Sequence, residues 1–471
     1  MEAKIFFGSN EVSKDSVSER KSPYDGRVVS TAPICDSEDT IKALKIAQMA
    51  TKDAKASTLS QRCSWLLDVA QKLKENKEDM AQTITDEVGK PITFARVEVE
   101  RCIETITLSA ETMRTMSGET INTDAMASGK KTLSYFSRVP VGVVACITPF
   151  NFPLNLVAHK LAPALVAGNT VVLKPTPEAP LTAYKFAKLF IESEFAIKDA
   201  LSVVYGDTDV GGTLVKSDIP RVISFTGSVP VGNIITKSAG IKKVGLELGG
   251  NAATYVDSSA DLDLAAQRCS LGAFVNSGQV CISLQRIYVD EKIYDEFASK
   301  MATETKKLKV GSPYDDDTFM GPLIDDDAST RAMSWVESAI AEGAKALLEP
   351  KKDGRMFHPC VMADVRDDMA IVCEEVFAPI VSLVKVKDFD DALPRMNNSP
   401  YGLQFSVFTN DLKLTQRAIN ELDAGGIVIN DMPTLRFDIQ PYGGVKLSGV
   451  GREGPRFAIE EMTEIKSVVI C

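Results

Sequence analysis

Histidine is nearly missing from this chain of 471 residues. Only His159 and His358 occur, so a Ser-His-Asp or Cys-His reaction centre would have to use one of them. Neither lies in a motif that presents a base, and His159 reads as part of a helix after Pro153. A run of about 18 apolar residues is also absent, which argues against a membrane-spanning helix. Positive charge is in short supply: 53 Lys and Arg face 64 Asp and Glu, a net charge of −11. That balance argues against nucleic acid and anionic membrane as partners, while local charge can still hold an anionic substrate. Met1 to Asn10 has no basic segment followed by an apolar core, so no secretory signal is expected. The nine cysteines are scattered, with no CxxC pair and no Cys/His cluster. A disulfide framework and a structural zinc site are therefore not expected; a reducing, cytoplasmic compartment is.

A chain this long predicts two or three domains. From Ser37 to about Met116 the apolar spacing is helical, with Ser37 and Asp39 as cap candidates and a third helix starting near Lys90-Pro91. From Glu119 to Pro140 the texture turns to Thr, Ser and Lys, which predicts an extended, projecting hairpin. Residues 141–250 alternate strand and helix, and a second such run spans about 251–450. This alternation predicts an α/β fold with two doubly wound open sheets. The tail Ile465–Ile470 reads as an edge strand. The expected division is one domain of 1–118 with 139–249, a second of 250–450, and a small β arm of 119–138 with 451–471. Two unpaired edges in that arm invite pairing across a symmetry axis.

Five constellations carry chemistry. In Asn276-Ser277-Gly278-Gln279-Val280-Cys281 one cysteine stands in a polar turn ahead of a strand, where backbone N–H groups can favour a thiolate and Gly278 allows a ligand to come close. In Leu246-Glu247-Leu248-Gly249-Gly250-Asn251 a lone carboxylate sits between apolar residues and before paired glycines. Thiol and carboxylate together fit covalent acyl transfer, the carboxylate activating water. Asn151 follows an apolar strand in Thr148-Pro149-Phe150-Asn151-Phe152-Pro153; it is either an N-cap or an oxyanion donor. Thr226-Gly227-Ser228 ends a strand and opens a helix, where N–H groups favour phosphate. Lys174 closes a buried-looking strand, either at a solvated end or against a ribose or phosphate.

The segments PFNFPLN (149–155), FTGS (225–228), LELGGN (246–251), NSGQVC (276–281), EEVFAPI (374–380) and PYGGVKLSGVGREG (441–454) resemble, in order and nearly end to end, the aldehyde dehydrogenase superfamily. Within it the chain looks most like enzymes for lactaldehyde and other short polar or anionic aldehydes. The resemblance implies a cofactor-binding domain, a catalytic domain and an oligomerisation arm, with a homodimer or homotetramer. It implies Cys281 as nucleophile, Glu247 as general base, and the Asn151 side chain with the Cys281 backbone N–H as oxyanion hole. It places Lys174 on the adenosine ribose, Gly227 and Ser228 on the pyrophosphate, Glu375 on the nicotinamide ribose and Phe377 by the nicotinamide, with Thr148, Phe150 and Gly249 also on the cofactor side. NAD-selective members carry a Glu three residues after the lysine. Here that residue is Pro177, with Glu178 next to it, which removes a barrier to a 2′-phosphate, so NAD or NADP is expected. The common Trp before the oxyanion Asn is Phe150.

Arg101, on the helix after Pro91, and Arg436, in the loop Pro433–Phe437, are expected to clamp an anionic substrate group or else to form salt bridges. Three rival readings are a CoA-acylating dehydrogenase, which usually lacks the base Glu; a non-catalytic binding protein on the same scaffold; and a cofactor-free thiol hydrolase.

Overall fold

Strands that are apolar on both faces set the architecture of this computed structural model, which describes residues 1–471. Val143–Ile147, Thr170–Lys174 and Leu201–Val203 are buried throughout, as parallel strands covered by helices on both sides must be. They join Pro220–Thr226 and Lys243–Glu247 in one parallel sheet. The register aligns Ile147 with Lys174 and Phe225, and Thr226 with Glu247. Four carboxyl ends are thereby brought to one edge, where open α/β sheets bind ligands.

The second sheet has Ala252–Val256, Leu284–Asp290, Cys360–Ala363, Ile380–Val386, Gln404–Phe408 and Gly426–Ile429 in parallel, with Lys345–Ala346 antiparallel at one edge. Alternate side chains feed different cores: Ile287 and Val289 pack with Phe274 and Phe297, Tyr288 with Phe357 and Phe405.

Helix Ser37–Ala56 is capped by Asp36, whose carboxylate accepts from the Glu38 and Asp39 N–H groups. The expected cap residues Ser37 and Asp39 are the first turn, and Asp39 closes the capping box instead. Helix Ile92–Thr115 begins just after Pro91, as expected.

The expected hairpin at 119–138 is short on one side. Glu119–Thr120 pairs for only two residues with Leu133–Pro140, and turn-forming Asn122, Asp124 and Gly129 occupy the stretch between. The long partner is the tail: Thr463–Ile470 runs antiparallel along all of Leu133–Pro140. Residues 451–471 do not all lie in this arm. Ile459 and Met462 are in the core of the first α/β unit, because helix Pro455–Glu461 carries an apolar face that packs on helix Asn155–Val166. Gly449–Val450, counted above with the second domain, pairs with Leu246-Glu247 in the first sheet. No helix is long and apolar enough to cross a membrane.

Candidate active site

The carboxyl edge of the first sheet and three loops from the second α/β unit face one cavity of about 880 Å³. Cys281 reaches it through a strained turn. Asn276, Ser277 and Gly278 have φ of 50°, 56° and 72°, and two non-glycine residues in the left-handed region need outside support. Ser277 Oγ donates to the Gly321 carbonyl at 2.8 Å, and the Gln279 carbonyl accepts from Asn151 Nδ2 at 3.1 Å. Gly278 serves the protein rather than a ligand: a Cβ there would lie 2.3 Å from the Ala378 carbonyl oxygen.

Asn151 is not an N-cap. The N–H groups of Leu154 and Asn155, at the start of helix Asn155–Val166, donate to Glu98 Oε1 at 2.9 and 3.1 Å. The Asn151 amide instead reaches the cysteine loop, and one of its two Nδ2 hydrogens remains after the bond to Gln279. Gly250 lets the loops meet, since a Cβ on it would lie 2.1 Å from the Cys281 carbonyl oxygen.

Glu247 ends its strand and is 5% exposed, and its Oε2 has no hydrogen-bond partner. Burial and the nearby Glu453 charge push its carboxyl well above the usual range; Arg436, Lys160 and Arg452 offset only part of this. Glu453 takes the cations: Lys160 Nζ donates to it at 3.0 Å and Arg436 Nη2 at 3.1 Å. Burial would raise Glu453 too, but Lys160, His159 and Arg436 hold it down at about 2. Of these two neighbouring carboxyls, Glu247 keeps the proton. Burial also pushes the Cys281 thiol up to about 11, against lowering by Tyr442 and Arg436.

Thr148, Phe150, Lys174, Gly227, Ser228, Gly249, Glu375 and Phe377 line the same cavity. Lys174 is 7% exposed, and its Nζ makes only a 3.5 Å contact to the Pro175 carbonyl. Burial lowers its pKa, with Asp207 and Glu178 opposing. Ser228 precedes helix Val229–Ser238 and makes no side-chain cap bond, which leaves the first-turn N–H groups free for an anion. The buried Thr148 and Thr226 hydroxyls are unpartnered. Glu375 Oε1 accepts from Gly250 N–H at 2.9 Å, and burial raises this carboxyl to about 7. Phe150 and Phe377 meet edge to face at 6.0 Å. An ammonium, a free helix start, unpartnered hydroxyls and an aromatic corner fit the ribose, phosphate and ring portions of a dinucleotide.

The two arginines differ. Arg436 lines the cavity, with its guanidinium 3.7 Å above the Tyr442 ring centroid and a bond to Glu453. Arg101 does not line it. Its guanidinium makes a two-point pair with Asp438, at 2.9 and 2.7 Å, and Asp438 Oδ1 lies 3.5 Å from Arg436 Nε. Of the two expectations, Arg101 meets the salt bridge rather than a direct place in the cavity, and Asp438 stands between the two arginines. Burial would raise Asp438, yet hydrogen bonds from His159 and Arg101 hold it far below the usual carboxylate range. His159 does not line the main cavity, and burial and Arg436 keep it below its ordinary pKa.

The sequence model of the aldehyde dehydrogenase family matches residues 11–468. The chain belongs to the aldehyde dehydrogenase family. Among its relatives, the 3-sulfolactaldehyde dehydrogenase of Priestia aryabhattai is 43% identical over 440 residues, covering 93% of this chain and 91% of that one. Aldehyde dehydrogenase 21 from Physcomitrella patens, solved with the reaction product succinate, is 38% identical with a TM-score of 0.97, covering 100% of this chain and 98% of that one. The NADP-dependent glyceraldehyde-3-phosphate dehydrogenase of Bacillus halodurans, solved with NADP, is 33% identical with a TM-score of 0.97, covering 100% and 99%.

Three residues of this aldehyde dehydrogenase site escaped sequence reading: Tyr442, Glu453 and Asp438. The first two lie inside the PYGGVKLSGVGREG segment, yet nothing local says that their polar ends turn toward Cys281 Sγ and Lys160. Asp438 is only two positions from Arg436, and its pairing with Arg101 is a long-range contact.

Proposed function

We propose that this aldehyde dehydrogenase oxidises a short polar or anionic aldehyde to the carboxylic acid with NAD or NADP. The observation that carries the reading is the convergence of Cys281, Asn151 and Glu247 with a dinucleotide-shaped donor set around one cavity. Cys281 Sγ adds to the aldehyde carbon. The oxyanion takes hydrogen bonds from the free Asn151 Nδ2 hydrogen and the Cys281 backbone N–H. When bound, NAD or NADP supplies the hydride acceptor. Glu247 then removes a proton from water attacking the resulting thioester; burial raises its carboxyl, which makes the ionised form a stronger base. Lys174, Gly227, Ser228 and Glu375 hold the cofactor, and Thr148, Phe150, Gly249 and Phe377 shape its nicotinamide end.

Substrate class is supported by Arg436 in the cavity wall and by relatives acting on 3-sulfolactaldehyde or holding succinate. Acceptance of NADP is supported by Pro177, which leaves no carboxylate at that position, and by Glu178, which accepts from the Thr176 hydroxyl. The cofactor domain comprises 1–118 with 139–249 and the catalytic domain most of 250–450. The arm associates subunits into a homodimer or homotetramer. Nine scattered cysteines with no CxxC pair support a reducing, cytoplasmic setting, and net charge −11 a protein without nucleic-acid partners.

The test is an aldehyde panel with either cofactor, with and without CoA. Cys281→Ala abolishes NAD(P)H formation. Glu247→Gln gives a burst of one equivalent and an acyl adduct on Cys281 visible by intact mass. Cys281→Ala turnover at the parent rate, or acyl-CoA as the product, overturns the reading.

A further inference from the structure

The Tyr442 hydroxyl makes one polar contact, and it is to the reacting atom. Its Oη lies 3.0 Å from Cys281 Sγ. The residue is 6% exposed and packs with Val280, Ile282 and Leu403, the immediate surroundings of the thiol. Above its ring sits the Arg436 guanidinium, 3.7 Å from the centroid, itself held by Glu453. A cation over the π face draws electron density from the phenol and makes its O–H a stronger donor. Burial raises the phenol well above its ordinary value, and the nearby Cys281 and Glu247 add to this against Arg436. The phenol therefore keeps its proton when the thiol loses one.

We infer that Tyr442 is a catalytic residue: its O–H donates to the Cys281 thiolate and sets the pH at which the sulfur becomes reactive, with Arg436 polarising the donor. The inference rests on Cys281 being the nucleophile. The charges facing the sulfur are few and known. Tyr442 and Arg436 favour the thiolate; Glu375 and Glu247 oppose it. Glu247 opposes it only when ionised, and burial raises its carboxyl. The hydrogen bond has a second consequence. It must lengthen as Sγ turns to the aldehyde carbon, because a lone pair shared with a donor is a weaker nucleophile. Tyr442 thus stabilises the waiting thiolate more than the attacking one.

The experiment reads the thiol directly. The rate of Cys281 carbamidomethylation by iodoacetamide is followed from pH 6 to 10 by intact mass on the full protein without cofactor, with Cys281→Ala as background. Tyr442→Phe removes one hydroxyl. Loss of a hydrogen bond to a charged group is worth one to two pH units, and the range scanned lies below the thiol's own titration, so alkylation at any given pH falls about tenfold or more. A second variant guards against a packing effect. Site-specific 3-fluorotyrosine at position 442 keeps the ring and hydroxyl but makes the phenol more acidic, and alkylation at a given pH rises, the profile moving to lower pH. Superimposable profiles for parent and both variants overturn the inference, as does an upward shift with fluorotyrosine. Failure of the parent reading looks different: Cys281→Ala would then still oxidise aldehydes, whatever position 442 carries.

Discussion

At the scale of single residues, the site is governed by which buried groups share charge. Asp438 accepts from Arg101 at two points and lies 3.5 Å from Arg436 Nε, so Arg101 keeps that carboxylate occupied. Arg436 Nε makes no hydrogen bond of its own, and Arg436 lines the cavity, so we propose it as the contact for a substrate anion. Arg436→Ala should raise KM for an anionic aldehyde at least tenfold, in line with the loss of a charge-assisted hydrogen bond, and change KM for a neutral one far less. Arg101→Ala should move KM in the same direction, because Asp438 then turns its charge on Arg436. Steady-state kinetics on a matched pair, such as succinic semialdehyde and butyraldehyde, check both. Equal effects on the two substrates would remove the anion site.

At the scale of elements, one carboxylate ties helix Lys77–Val88 to strand Val28–Pro33 and to helix Pro180–Ile191. Glu87, at the end of helix Lys77–Val88, is fully buried and accepts four hydrogen bonds: from Ser30 Oγ at 2.6 Å, and from Leu181 N–H, Thr182 N–H and Thr182 Oγ, each at 2.8 Å. It thus serves the amino end of helix Pro180–Ile191, whose preceding residue, Ala179, has no capping side chain. Burial raises the carboxyl, and the four donors counteract it. Glu87→Ala leaves those donors buried and unpaired and should cost about 3 kcal/mol or more of stability, read as a lower urea midpoint with unchanged slope. Glu87→Gln should cost less, since it keeps an acceptor oxygen but presents an NH2 where only donors wait. A change below 1 kcal/mol for Glu87→Ala would contradict this role.

At the scale of the whole molecule, the arm is the feature left incomplete. Thr463–Ile470 is an edge strand whose Ile465, Val469 and Ile470 are each more than half exposed, with Leu133 of the adjacent strand equally so. Apolar, unprotected edges of this kind invite pairing with a second copy. Light scattering should therefore give a multiple of the 51.0 kDa chain mass. Ile465→Lys with Val469→Lys should shift the protein toward the monomer while leaving the thermal melt of each domain in place. A monomeric parent, or a doubly substituted protein of unchanged mass, would refute the arm as an interface.

Much of the molecule was legible in the chain, because some signals are local. Apolar strand runs, helix starts after Pro91 and Ser228, the Leu-flanked Glu247 ahead of its paired glycines and the turn before Cys281 each follow from neighbours in sequence, through backbone sterics and burial. Others depended on the order of whole segments, as the family resemblance did. Tertiary structure alone decided which charges meet. Asp438 comes to Arg101, Tyr442 to Cys281 and Glu453 to Lys160 from far along the chain. Chain termini also changed company: Gly449–Val450 returned to the first sheet, and helix Pro455–Glu461 to its core. The physical reason is range. Dihedral preference and hydrophobic period act over a few residues, whereas a pKa or an ion pair depends on whatever the fold brings within a few ångströms.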